Sequence, residues 1–267
     1  MPKYVVEGGV PLNGTIRPAG NKNAALPIIC ATLLSDEPIT LDNVPDIRDV
    51  RTLLDLLAQL GCQVDWTGAD QVRIHAKEIR PAEVDRSMAA RIRASILLAG
   101  PMLARAGSMI LPPPGGDVIG RRRVDTHFLA LQRLGARVET RGGYHLEADG
   151  LEGAEIFLDE PSVTATENTV MAAALARGTT RLRNAAAEPH VQDLCNMINA
   201  LGGRIRGIGT GILEIEGVDR LSGGRFRIGS DHIEVGSFIG LAAVTRGEIL
   251  IEDAAVEHLD STLLAFE

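Results

Sequence analysis

Residues 112–128, PPPGGDVIGRRRVDTHF, hold the densest grouping of side chains suited to work on an anion. Three prolines stiffen the approach. Gly115 and Gly116 follow, and glycine lets a backbone come close to a ligand. A single carboxyl, Asp117, stands between them and the guanidinium run Arg121, Arg122 and Arg123. A guanidinium fork binds phosphate or carboxylate through two parallel hydrogen bonds. One acid beside such a cluster therefore suits an anionic substrate and a group that moves a proton. A solvated basic run on a surface loop would have the same composition. A second such place is GNKNAALPIICATLL, which follows a strand-like GTIRPAG. Asn21 or Asn23 is placed to cap the helix that starts there. Lys22 then joins the backbone amides and the positive end of the helix dipole, an arrangement that attracts phosphate or carboxylate. A capped helix with an exposed lysine fits the same residues.

The elements that carry these groups repeat. VDTHFLALQRLG has Val124, Phe128, Leu131 and Leu134 at helical spacing and predicts an amphipathic helix leaving the loop. LLDLLAQLGCQVDW, FLALQRLGARVET and LCNMINALGGRIRG each read as a helix stopped by a glycine and followed by a strand. The stopping glycines, Gly61, Gly135 and Gly202, recur at a period of roughly 70 residues. Upstream in each unit an apolar helix, a short turn and a strand recur, in ALPIICATLLSDEPITLDNV, ASILLAGPMLARAGSMILPPP and TVMAAALARGTTRLRNAA. GAEIFLDE and GILEIEGV add strands between units. Helices alternating with strands predict an α/β or α+β layered fold in which the units share a core. A fourth unit opens at SFIGLAAVTRGEILIEDAAVEH, where DAAVEH matches NAAAEP. By that register its stopping glycine would fall about four residues past Glu267, so a fragment of a longer protein is expected.

Composition narrows the functions. The chain has 267 residues, 45% of them hydrophobic and 23% charged, enough for one large or two smaller domains. A net charge of −8 and only 3% aromatic residues argue against general affinity for nucleic acid or anionic membranes. Any anion site must be a local basic pocket in an acidic protein. Cys30, Cys62 and Cys195 are few, odd in number and far apart, as expected of inert buried thiols in a reducing cytoplasm. The stretch MPKYVVEGG lacks the pattern of a secretory leader, and ASILLAGPML is too short and interrupted to span a bilayer. The six histidines show no metal-ligand spacing, so neither metal nor cofactor is implied.

GNKNAALP, RASILLAGP at 93–101 and PGGDVIGRRRVD at 114–125 resemble the UDP-N-acetylglucosamine enolpyruvyltransferases, or 1-carboxyvinyltransferases. TATENTVMAAALARGTT, NAAAEPHVQDLCNMINALGG and DHIEVGSFIGLAAVTRGEI fit the same family in the same order. The resemblance covers essentially the whole chain. It implies an inverse α/β barrel of repeated sheet-and-helix units in two similar domains, with ligands between them. Residues 22–229 would form one complete three-repeat domain. Residues 1–21 and 230–267 would belong to a second domain, whose remaining segment of the parent chain would be this chain's partner. The implied reaction transfers an enolpyruvyl group from phosphoenolpyruvate to the 3-hydroxyl of UDP-N-acetylglucosamine, the first committed step toward peptidoglycan. Related enzymes that use shikimate 3-phosphate carry a DKS-type sequence in place of NKN. A stand-alone nucleotide-sugar-binding module without transfer activity is the other alternative.

The resemblance also assigns roles. Lys22, Asn23 and Arg122 would contact phosphoenolpyruvate. Arg93, Arg122, Arg123, Val124, Asp125, Ser162, Val163 and Thr164 would contact the nucleotide sugar. Arg123 stands where the family usually has proline beside the uracil, and a guanidinium can also stack on a flat base. Glu160 stands where some relatives have lysine. Asp117 replaces the loop cysteine that is the family's usual general acid, a variant the family also shows. Free aspartate titrates at about 3.9, so donating a proton requires a raised pKa, favoured by desolvation and bound anions and opposed by the arginines. An agent that alkylates the loop thiol, such as fosfomycin, is expected to find no target. The family's catalytic base and further arginines would lie in the missing part, leaving this chain alone nearly inactive. Glu188, His190, Asp231 and His232 lie in matching motifs without an assigned role.

Overall fold

A computed structural model of the chain describes residues 3–80, 82–116 and 123–266. Strand β1 (Asn13–Ile16) comes first and pairs far along the chain. The first unit then runs α1 (Lys22–Ala31), β2 (Ile39–Asp42), α2 (Arg48–Gln59), β3 (Gln63–Trp66) and β4 (Val72–His75). The second unit runs β5 (Ala82–Glu83), α3 (Arg86–Ala89), a 3-10 segment (Arg93–Leu98), α4 (Ala99–Ala106), β6 (Ser108–Leu111), α5 (Asp125–Arg133), β7 (Arg137–Thr140) and β8 (Tyr144–Glu147). The third has β9 (Glu155–Phe157), α6 (Val163–Ala173), β10 (Thr179–Arg183), α7 (Pro189–Ala200), β11 (Arg204–Arg206) and β12 (Ile212–Glu216). Then come β13 (Gly224–Arg227), α8 (His232–Thr245), β14 (Glu248–Ile251) and α9 (Asp260–Leu264).

The three units build the same four-stranded sheet. The orders are β13-β2-β4-β3, β5-β6-β8-β7 and β9-β10-β12-β11. In each, the edge strand is parallel to its neighbour and the other pairings are antiparallel. Alternation selects the inner face: Ile39 and Leu41 of β2, Val72 and Ile74 of β4, and Leu182 of β10 are buried while their neighbours look outward. The first sheet takes its edge from β13, so Phe226 lies against Leu41 and the third unit is tied back to the first. Arg225 of β13 adds a two-bonded ion pair with Asp42 of β2, at 2.5 and 2.8 Å, which holds that carboxyl below the usual aspartate range.

Helices α1 and α6 are apolar or small around most of their circumference, so they bury every side. Ala24–Ala31 of α1 and Ala165–Ala173 of α6 are buried. The stretch RASILLAGP, expected as one apolar helix, winds as 3-10 for Arg93–Leu98 and as α from Ala99. Pro101 falls in the first turn of α4, where its missing N–H is needed least. On α5 the buried positions include Thr126, His127, Ala130 and Leu131, while Phe128 is only half-buried against Tyr144, 4.7 Å between ring centres. Phe128 thus packs on the core as its helical spacing predicts, Val124 falls just before the helix, and His127, which the apolar spacing does not include, is buried with polar partners. Cys30, Cys62 and Cys195 are buried and free. Burial pushes the Cys62 thiol up to about 11 and Cys195 up to about 12.

The repeat also governs turns. Gly61, Gly135 and Gly202 have φ of 101°, 98° and 100°. After each, the next N–H bonds five residues back, Cys62 to Leu57, Ala136 to Leu131 and Gly203 to Ile198, as in a Schellman ending. Asn43, Asn184 and Asp253 take positive φ at matching places after β2, β10 and β14. The Asn43 and Asn184 amides donate to the carbonyls just past the edge strands, at Ile228 and Leu158, both at 2.9 Å.

Strand β1 pairs in parallel with β14, the same edge relation again. Segments on either side meet at Asn21 N–H to Gly229 carbonyl, 2.8 Å, and Asp231 N–H to Ala19 carbonyl, 2.9 Å. On α8, HIEVGSFIGLAAVT, only Val235 is buried and Val244 is 80% exposed, and on α9 Leu264 is 71% exposed. Among the described residues no helix is long and apolar enough to cross a membrane.

A Cβ at Gly202 would meet nothing within 4 Å, so Gly202→Ala isolates the backbone effect. It is expected to lower the unfolding free energy by about 1 kcal/mol, read as a lower urea midpoint; an unchanged midpoint would contradict this account of the turn.

Candidate functional site

The inner helices of the three units begin at one place. Lys22 and Asn23 open α1, Arg93 opens the 3-10 segment, and Val163 and Thr164 open α6; all of them line a cavity of about 440 Å³. Asn21 caps α1 by accepting from the Ala24 N–H at 3.0 Å, which selects it over Asn23. Ser162 caps α6 by accepting from Ala165 N–H at 3.3 Å. Helix starts present backbone amides and the positive end of the dipole. Arg91, Arg93 and Lys22 add cations on the more open side, while Leu26, Ile92 and Leu97 close the buried side. Such a cavity suits an anion joined to a neutral body. Lys22 also meets Asp49 of α2 at 2.5 Å, a half-exposed pair that contributes little to stability.

Of the residues assigned by resemblance, Lys22, Asn23, Arg93, Val163 and Thr164 come together here. Asp117 and Arg122 lie outside the described residues. Ser162 acts locally as the cap, and Arg123, Val124 and Asp125 do not line the cavity. Arg123 bonds Asp125 and Asp159 and lies 3.7 Å from Glu160, so three carboxylates surround it. Its carbonyl accepts from Arg93 at 2.7 Å, which ties the two segments. The glycines before Asp117 approach the protein itself: a Cβ on Gly115 would sit 1.7 Å from the Ala90 carbonyl oxygen. Gly115 and Gly116 N–H groups donate to Ala89 and Ala90 at 3.1 and 3.3 Å. The expectation that Gly115 makes room for a ligand is therefore corrected: it makes room for the chain's own backbone.

Polar residues that the motifs did not single out stand behind the cavity. Asn168 accepts from Gly100 N–H at 2.8 Å and donates to the Ile96 carbonyl and His127 Nδ1, both at 2.9 Å. His127 Nε2 lies 3.0 Å from the Thr164 hydroxyl. Burial pushes the His127 imidazole down to about 3, Arg93 adding to the shift and Asp125 opposing it. Glu167, on α6, is 1% exposed, lines the cavity and has no hydrogen-bond partner for Oε1. Burial, and secondarily Glu188, hold its carboxyl well above the usual glutamate range. His190 is also buried at the cavity with Nδ1 unpartnered, and burial lowers its pKa. The signal for Glu167 was one carboxylate within the otherwise uncharged TATENTVMAAALA; none marks His127 apart from its place in the motif.

Asn168→Ala leaves the Gly100 N–H and His127 Nδ1 without this side-chain partner, while the Ile96 carbonyl keeps the Ala99 N–H. It is expected to destabilise the fold by about 3 kcal/mol, measured by thermal or urea unfolding; a loss under about 1 kcal/mol would contradict the network. His127 has a folded pKa below its unfolded value of about 6.5, so the unfolded state binds more protons. Its contribution is complete above that value and is lost as pH falls toward about 3, with a slope of at most about 1.4 kcal/mol per pH unit. The His127 ring resonances in an NMR titration are expected to stay constant from about pH 8 to 5; a midpoint near neutrality would contradict its burial as a neutral ring.

Comparisons with known proteins agree with this architecture. The family model described as EPSP synthase (3-phosphoshikimate 1-carboxyvinyltransferase) matches residues 6–266. The chain is 58% identical over 265 residues to a UDP-N-acetylglucosamine 1-carboxyvinyltransferase of Bradyrhizobium diazoefficiens, covering 99% of this chain and 62% of that protein. It is 53% identical over 266 residues to a protein of the same name from Treponema denticola, again covering 62% of it. The chain thus spans about three fifths of the length of these curated relatives. Among solved structures, the enolpyruvyl transferase NikO from Streptomyces tendae aligns with TM-score 0.75 at 24% identity over 87% of this chain and 55% of that one. An EPSP synthase from Acinetobacter baumannii aligns with TM-score 0.74 at 19% identity over 92% of this chain and 56% of that one. At those identities the structures share the fold. With the model match running through nearly every residue, the chain belongs to the EPSP synthase (3-phosphoshikimate 1-carboxyvinyltransferase) family, that of the enolpyruvyltransferases.

Proposed function

We propose that this chain supplies the nucleotide-sugar side of an enzyme that moves the enolpyruvyl group of phosphoenolpyruvate onto the 3-hydroxyl of UDP-N-acetylglucosamine. The observation that carries this is the convergence of three inner-helix starts, with Lys22, Arg91 and Arg93, on one cavity. The names borne by the relatives support this acceptor over shikimate 3-phosphate. In the proposal Lys22, Asn23 and Arg122 hold phosphoenolpyruvate. Arg93, Arg122, Arg123, Val124, Asp125, Ser162, Val163 and Thr164 serve the nucleotide sugar, Arg123 doing so through its tie to Arg93. Asp117 gives its proton to the methylene carbon while the sugar hydroxyl attacks the adjacent carbon and loses its own proton to a base. Loss of a methyl proton and departure of phosphate then restore the double bond. Preorganised cations stabilise the developing charge best in a closed cleft.

Residues 22–229 form the three-repeat domain in this proposal, and 1–21 with 230–267 belong to a second one. The return of β13 to β2, the pairing of β1 with β14, and the apolar exposed face of α8 support that division. Remaining repeats of the parent protein would cover that face. Work in the cytoplasm, at the first committed step of peptidoglycan synthesis and so of cell-wall growth, follows from the same proposal. Calorimetry of the chain with UDP-N-acetylglucosamine is expected to give one-site binding, and phosphoenolpyruvate with the sugar is expected to release no phosphate. Absence of binding would overturn the assignment, and steady phosphate release by this chain alone would overturn its division of labour.

A further inference from the structure

The buried side of the cavity holds a group that no step above uses. Glu167 lies on α6, one turn beyond the Val163 and Thr164 that open the helix, with Oε1 buried and unpartnered. Buried polar atoms in folded proteins are almost always satisfied, and an orphaned one costs about 1–3 kcal/mol. If the side chain served only packing, leucine or methionine would fill the same volume without that loss. The carboxyl nevertheless stands at a cavity wall, where a ligand can supply the missing partner.

The surroundings decide what kind of partner. The charged groups of the cavity, Lys22, Asp49, Arg91 and Arg93, are exposed or half-exposed. Besides Glu167, the buried part of the lining includes Leu26, Leu97 and the ring of His190. Cys30 and Cys195, which sense its charge, are buried thiols. No cation is described in hydrogen-bond contact with it. An ionised carboxylate would be poorly placed there, and a ligand phosphate would be repelled by one. A neutral carboxyl, by contrast, offers one donor and one acceptor and matches a hydroxyl or an amide.

We propose that Glu167 contacts the acceptor substrate, its free carboxyl oxygen exchanging a hydrogen bond with a hydroxyl or amide of the sugar portion while the cations of the open side hold the phosphates. This rests on the nucleotide-sugar assignment above and adds to it a residue that separates sugar recognition from phosphate recognition. The carboxyl then reads the neutral part of the ligand, and loses its hydrogen-bond deficit only when that part is present.

The test compares UDP-N-acetylglucosamine with UDP, which lacks the sugar, on the full chain by calorimetry. Glu167→Leu is expected to weaken the sugar nucleotide about five- to tenfold, one neutral hydrogen bond's worth, and to leave UDP unchanged. Glu167→Gln, which keeps a donor and an acceptor, is expected to stay within about threefold of the parent for both. Equal losses for UDP and the sugar nucleotide, or none for either, would overturn the proposal. Should the leucine variant not fold, a crystal structure of the unaltered chain with the sugar nucleotide decides. A Glu167 oxygen within about 3.2 Å of a sugar oxygen or nitrogen supports it, and separation beyond about 4 Å overturns it. If the unaltered chain binds UDP but not the sugar nucleotide any better, this inference fails alone. If it binds neither, the nucleotide-sugar assignment fails and takes this inference with it.

Discussion

The pairing of β13 with β2 is the constraint on which the arrangement depends. Each of the other two sheets draws its parallel edge strand from the residues just upstream. The first sheet cannot, because the strand upstream of it, β1, is paired with β14 instead. Its edge arrives from residues 224–227, after two further units have been built. Closure therefore links the beginning and the end of the three-unit body through backbone bonds and the Arg225–Asp42 ion pair. Contacts across such sequence distance raise contact order and slow folding relative to local pairing.

Closure also places the inner helices. Sheets of equivalent order cover the units from outside, and α1, the 3-10 segment with α4, and α6 pack among themselves. Gly100 permits that packing, since a Cβ there would lie 2.4 Å from the Asn168 carbonyl oxygen. Three equivalent helices directed the same way must bring their starts together. A positively polarised cavity in a protein of net charge −8 is thus a product of repetition rather than of composition.

Much of this architecture could be read from residues. The glycines at 61, 135 and 202 announced the helix ends because each is followed by a residue that must bond back to the last turn. Asn21 was one of two candidate caps, and only the structure chose between them. What could not be read was which polar residues turn inward. TATENTVMAAALA has a helical run of small residues, so periodicity says little about which face holds Glu167 or Asn168. His127 follows Thr126 and precedes Phe128, and the apolar spacing favours Phe128 as the buried one. The identity of its partners, Asn168 and Thr164, depends on contacts between α5 and α6 that no local pattern encodes. Nor does a guanidinium run reveal its acids: Arg123 is engaged by Asp159 and Glu160 from a segment some forty residues along.

The Asn168 side chain has a consequence at the opposite end of its chain of contacts. Because the Gly100 N–H fixes which end of the amide is oxygen, the other end must be the one that gives hydrogen to His127 Nδ1. A neutral ring then carries its own hydrogen on Nε2 and gives it to Thr164. The threonine hydroxyl, already receiving, keeps its hydrogen to offer outward. An amide lodged between two helices thereby commits one lone pair of an alcohol at the cavity wall and leaves its hydrogen for an incoming lone pair.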